Sequence, residues 1–161
     1  MRILGIDPGT TRIGYGLIDG KNLKPLDFGL IEIKPKSNNQ KLFDLEFEYK
    51  KIIEKLKPDL VGIENVYFSK NQKTAIAVSE ARGVIKITTL KAGIKIVEYG
   101  PKEVKLAVTS YGLSDKKAVY KTVCKILNLE KIAGPDDVAD ALAIALTAAM
   151  RYKVDALNSS L

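Results

Sequence analysis

The chain has 161 residues with no histidine and a single cysteine, which excludes Ser-His and Cys-His nucleophilic catalysis, histidine-ligated zinc and any intrachain disulfide. A hydrophobic content of 46% suffices for one core, no apolar stretch is long enough to span a bilayer, and "ILGI" is too short for a signal peptide, so a cytoplasmic location is expected. Lys and Arg number 26 against 19 Asp and Glu, and the resulting +7 suits either a polyanionic partner, nucleic acid first, or a lysine-rich solvated surface.

In chain order, residues 2–6 form the first expected strand, which delivers Asp7 into a Pro-Gly turn. "RIGYGLI" (12–18) and "LDFGLIEI" (26–33) follow across short turns, which favours an antiparallel meander. Residues 38–57 repeat Leu42, Leu45, Tyr49, Ile52 and Leu56 at helical spacing, and Pro58 stops the helix. "DLVGIE" (59–64) has the apolar run of a buried central strand. A long helix is expected over 71–91, with Gly83 inside it either packed against another helix or simply tolerated. "IKIVEY" (94–99) is the fifth strand. Pro101 then starts a short helix to about Ser110, and Ser114 or Asp115 caps another to about Leu127, in which Cys124 is expected to be a small buried hydrophobe. The last helix covers 136–152. The order βββαβαβ followed by helices predicts an α/β fold of ribonuclease-H-like architecture: a mixed five-stranded sheet, three antiparallel then two parallel strands, with helices on both faces. Residues 1–152 make one domain, and 153–161 are expected to fray.

Asp7 and Glu64 each end an apolar strand, and in open α/β sheets functional groups gather at such ends. Asp137 and Asp140, three apart in "DDVADALAIAL", share a helix face. Acids at a helix start favour its dipole, which accounts for Asp136 and is the alternative account of Asp137. It accounts poorly for Asp140, a turn further in, with no base within four positions. Clustered acids repel, and two divalent ions bridged by carboxylates remove the conflict; such pairs serve in-line attack on phosphodiesters. Without histidine and with one cysteine, the ligands must be oxygens, which suits Mg²⁺ or Mn²⁺.

"GIDPGTTRIGYGLID", "LVGIENVYFSKN", "SEARGV" and "DDVADALAIAL", in this order over residues 1 to about 150, resemble segments of the RuvC family of bacterial Holliday junction resolvases. The resemblance implies a homodimeric, Mg²⁺-dependent endonuclease, with two ions per subunit and Mn²⁺ able to substitute. It would make paired symmetric nicks in four-way junction DNA, leave 5′-phosphate and 3′-hydroxyl ends, and work with the RuvA and RuvB branch-migration proteins. It implies that Asp7, Glu64, Asp137 and Asp140 are the metal-binding catalytic acids, with Asp136 a register alternative to Asp137. It also implies a DNA-stacking role for Tyr67, with Phe68 left to packing, although the family commonly has phenylalanine at the Tyr67 position. Lys105 and Lys116 match family lysines beside the scissile strand, with Lys116 serving catalysis and DNA binding; Lys117 is its neighbour and alternative. Lys70, Lys73 and Arg82 are expected on a solvated helix face.

Two other readings stay open. "GIDPGTT" also resembles the phosphate-cradling hairpin of the actin and sugar-kinase superfamily of ATP-binding proteins, which however needs a chain at least twice as long. A different ribonuclease-H-like nuclease, of the YqgF type or an RNA hydrolase, would share the chemistry and differ in substrate.

Overall fold

Short turns join β1 (Arg2–Asp7), β2 (Arg12–Asp19) and β3 (Pro25–Glu32), and strands so closely linked can only run antiparallel. β4 (Leu60–Glu64) and β5 (Lys95–Tyr99) are each reached through a helix and lie parallel to β1, giving the sheet order β3-β2-β1-β4-β5. This is the expected ribonuclease-H-like sheet. The computed structural model describes residues 1–34, 37–65 and 72–158.

The side-chain alternation of the central strands divides the core in two. Leu4 and Ile6 of β1 and Val61 and Ile63 of β4 face one way, under α1 (Asn38–Leu56) and α2 (Gln72–Lys91). Ile3 and Leu60 face the other way, under α3 (Pro101–Thr109), α4 (Lys116–Leu127) and α5 (Asp136–Asn158). The same parity carries Asp7 and Glu64 to the α3–α5 side.

Helix boundaries follow local chemistry. The Ser37 hydroxyl accepts from the Gln40 amide at the start of α1, and Lys57, in the left-handed region, ends it just before Pro58. Glu103 reaches back to the Gly100 amide at 2.7 Å at the start of α3. Asp115, not Ser114, caps α4, accepting from the Ala118 amide at 2.7 Å. Cys124 is buried, as expected.

One expectation changes. α5 runs to Asn158, so much of the segment expected to fray is helical: no glycine or proline interrupts the chain between Met150 and Asn158. Residues 159–161 lie outside the described residues. Among the described residues of its own chain nothing packs against Gly83, since a Cβ there would meet no atom within 4 Å, which leaves tolerance or contact with a second chain.

Among the described residues no helix is long and apolar enough to cross a membrane.

Candidate active site

The parallel register pairs Ile6 with Ile63, so the next residues, Asp7 and Glu64, stand side by side at the strand ends. α5 crosses directly above them because the strands beneath it carry glycine. A Cβ on Gly5 would lie 2.0 Å from the Ala141 carbonyl oxygen, and one on Gly14, opposite Asp7, 1.9 Å from that of Asp137. Only glycine lets the helix backbone rest this low, and that height brings the first turns of α5 to Asp7.

Asp7, Glu64 and Asp140 line a cleft of about 370 Å³ whose far wall carries Lys105 from α3 and Lys116 from α4. An adjoining cleft of about 290 Å³ is lined by Lys116, Lys117, Tyr120, Asp136 and Asp140. Lys116 Nζ donates to Asp140 Oδ2 at 3.2 Å, a long-range partner that no reading of local spacing could supply. Asp137 does not line the main cleft; it pairs with Arg12 at 3.5 Å across the start of β2. Among the described residues no three acids form a group already gathered to hold a metal ion. Four like charges brought to one place repel, and Asp137 and Asp140 take the nearest cations.

The electrostatics record the crowding. Burial, followed by the charges of Glu64, Asp140 and Asp137, pushes the Asp7 carboxyl up to about 8 against the pull of Lys116. Burial and Asp140 push Glu64 up to about 7, opposed by Lys116 and Lys105. Asp140 is raised chiefly by burial, against Lys116, and Lys116 is itself raised, first by Asp140. The donor chemistry fits a hard divalent cation: carboxylate oxygens only, half-buried and in a charge conflict that such a cation relieves.

Tyr67, Phe68 and Lys70 lie outside the described residues. Arg82 does not sit on a solvated face. Its side chain is 19% exposed and bonds to the end of β4 and to Glu98 on β5. Arg12 is the other residue the sequence reading missed; its place at the start of a strand paired with β1 was the available signal.

A family model described as crossover junction endodeoxyribonuclease RuvC matches residues 3–148. The crossover junction endodeoxyribonuclease RuvC of Caldicellulosiruptor saccharolyticus is 47% identical over 150 residues, covering 91% of this chain and 90% of the relative. The solved structure of Thermus thermophilus RuvC superposes with a TM-score of 0.86 at 29% identity, covering 96% of this chain and 97% of that one. T. thermophilus RuvC in complex with a Holliday junction substrate also gives a TM-score of 0.86, at 28% identity and 96% coverage of both chains.

Proposed function

Because the chain belongs to the RuvC family of crossover junction endodeoxyribonucleases, we propose that its cleft performs Mg²⁺-dependent hydrolysis of one phosphodiester per subunit in four-way junction DNA, leaving 5′-phosphate and 3′-hydroxyl ends. The observation that supports this most directly is the meeting of Asp7, Glu64 and Asp140 with Lys105 and Lys116 in one cleft. Asp7, Glu64, Asp137 and Asp140 would hold two Mg²⁺, with Mn²⁺ able to substitute. When bound, such ions activate water and stabilise the leaving oxygen of an in-line displacement. Asp137 must leave Arg12 to join them, and Asp140 must share its carboxylate with Lys116.

The lysines act on the substrate. Lys116 neutralises charge as it develops on the phosphate, Lys105 binds phosphate across the cleft, and Lys117 extends the contact along the strand. Tyr67 stacks on a base just beyond Glu64. Lys116→Ala is expected to slow cleavage about a hundredfold at saturating junction while changing junction affinity by less than about threefold. Single-turnover rates beside gel-shift titrations in chelator measure both, and a loss confined to affinity would remove Lys116 from the chemistry.

A homodimer gives the two nicks their symmetry. Ile76, Ile87 and Leu90 of α2 are 55%, 49% and 56% exposed and fall with Gly83 on one helical face. This small, apolar, open stripe is suited to a second copy of the helix. Ile87→Glu is expected to weaken dimerisation at least about tenfold, since a charge buried unpaired at an interface is costly. Sedimentation would read that change, and paired nicks should give way to single ones. Cooperation with RuvA and RuvB, and work in the cytoplasm, complete the reading.

The deciding test offers a mobile four-way junction, a flap, a duplex and an RNA–DNA hybrid in Mg²⁺ or chelator. Paired nicks confined to the junction are expected. Equal cutting of flap or hybrid would favour a different ribonuclease-H-like nuclease.

A further inference from the structure

Behind the cleft, the end of β4 is held from one side only. Its register with β1 stops at Ile63, whereas that with β5 continues to Glu64 opposite Tyr99. The Asn65 amide donates to the Tyr99 carbonyl at 2.8 Å, which keeps the chain on β5 for one more residue. α2 supplies the missing hold. Arg82 Nε donates to the Glu64 carbonyl oxygen at 3.2 Å, and Nη2 donates to Asn65 Oδ1 at 2.6 Å. The same guanidinium ion-pairs with Glu98 on β5, which also pairs with Lys86, one helical turn along α2. A planar fork can satisfy a carbonyl, an amide oxygen and a carboxylate together; an ammonium group cannot match that geometry.

We propose that Arg82 is a positioning residue, whose guanidinium locks the end of β4 so that the Glu64 carboxylate is held over the cleft. It acts through Glu64, not on DNA. Its Nε and Nη2 are engaged by protein acceptors and its side chain is mostly sheltered, whereas a phosphate-binding arginine would turn its fork outward to the DNA. The proposal rests on the reading of Glu64 as a metal ligand. Loss of an outer partner of this kind typically lowers metal affinity or activity about 10–100-fold.

Arg82→Ala, Arg82→Lys and Glu98→Gln test it, read by Mn²⁺ binding through electron paramagnetic resonance, by junction affinity in chelator and by melting temperature. Arg82→Ala is expected to weaken Mn²⁺ binding at least about tenfold while junction affinity stays within about twofold. Arg82→Lys should remain closer to the alanine variant than to wild type. Glu98→Gln, which keeps the shape and removes the charge steadying the guanidinium, should shift Mn²⁺ binding the same way by a smaller factor, and it decides the matter if Arg82→Ala does not fold. Unchanged Mn²⁺ affinity in the folded variants overturns the proposal, as does a loss of junction affinity that lysine restores. Wild-type cleavage assayed alongside separates the two claims. If wild type cuts junctions and the variants bind Mn²⁺ as it does, only the role of Arg82 falls. If wild type cuts nothing but the variants lose Mn²⁺, the functional reading falls and the positioning role survives.

Discussion

Asp7→Asn is expected to slow junction cleavage on the order of 10³-fold or more while junction binding in chelator persists. Asparagine keeps the shape at the end of β1 but removes one charge from the place where β1, β4 and α5 meet. Asp7 is where that loss should be greatest: its carboxyl feels Glu64, Asp140 and Asp137, so it stands between all the other acids. The cleft lysines proposed to meet DNA, Lys105, Lys116 and Lys117, are left in place, so binding should not suffer. Without metal the Asp7 carboxyl holds its proton to about 8, so near neutral pH asparagine replaces a neutral group of the same shape and affinity in chelator should stay level. The measurement is a single-turnover cleavage assay beside a gel-shift titration of the same protein. Cleavage within about tenfold of wild type would mean that the cleft is not where the phosphodiester is hydrolysed.

The parts of this site that sequence made legible are those fixed by local pattern. The apolar runs of β1 and β4 were enough to set Asp7 and Glu64 at strand ends, which the parallel pairing of the two strands makes neighbours, and the three-residue spacing put Asp137 and Asp140 on one face of α5. What local pattern cannot carry is which distant side chain reaches which. Lys116 on Asp140, Arg12 on Asp137 and Arg82 on the end of β4 each join residues from different elements, far apart in the chain. Each depends on how those elements pack. Arg82 was misjudged for a specific reason. Charged residues on a helix usually point to water, but α2 lies against β4 and β5, and the side chain flanking buried Ala81 finds the exposed strand end before it finds solvent. The glycines show the converse. Nothing local marks Gly5 and Gly14, and only the position of α5 reveals them as the seat of the helix. The extent of α5 was missed because nothing in its last residues favours a stop, and a terminal position is no substitute for a breaker.

The same crowding of acids makes stability depend on pH in a direction opposite to that of most salt-bridged carboxylates. In the unfolded chain Asp7 and Glu64 lose their protons near 3.8 and 4.5; folded, they hold them to about 8 and about 7. Between those limits the native state binds more protons than the unfolded state, so stability falls as pH rises. Asp140 is raised in the same sense, while the raised Lys116 acts only above its ordinary range and the lowered Glu98 only below its own. No histidine titrates in the interval. The melting temperature of the chelated protein is therefore expected to drop steadily from about pH 5 to pH 8. Asp7→Asn should flatten that slope and, at pH 8, melt higher than wild type. Each pH unit by which a folded carboxyl outlasts its unfolded counterpart in holding a proton is worth about 1.4 kcal/mol. About 1 kcal/mol moves the melting point of a domain this size by roughly 2–4 °C, so a gain of several degrees is the expected scale. Added Mg²⁺ should stabilise wild type more at about pH 8 than at about pH 6, because fewer protons then compete for the carboxylates. The variant should respond weakly at both. A melting temperature in chelator that stays level across this range would mean that the buried acids carry no charge conflict for a cation to relieve.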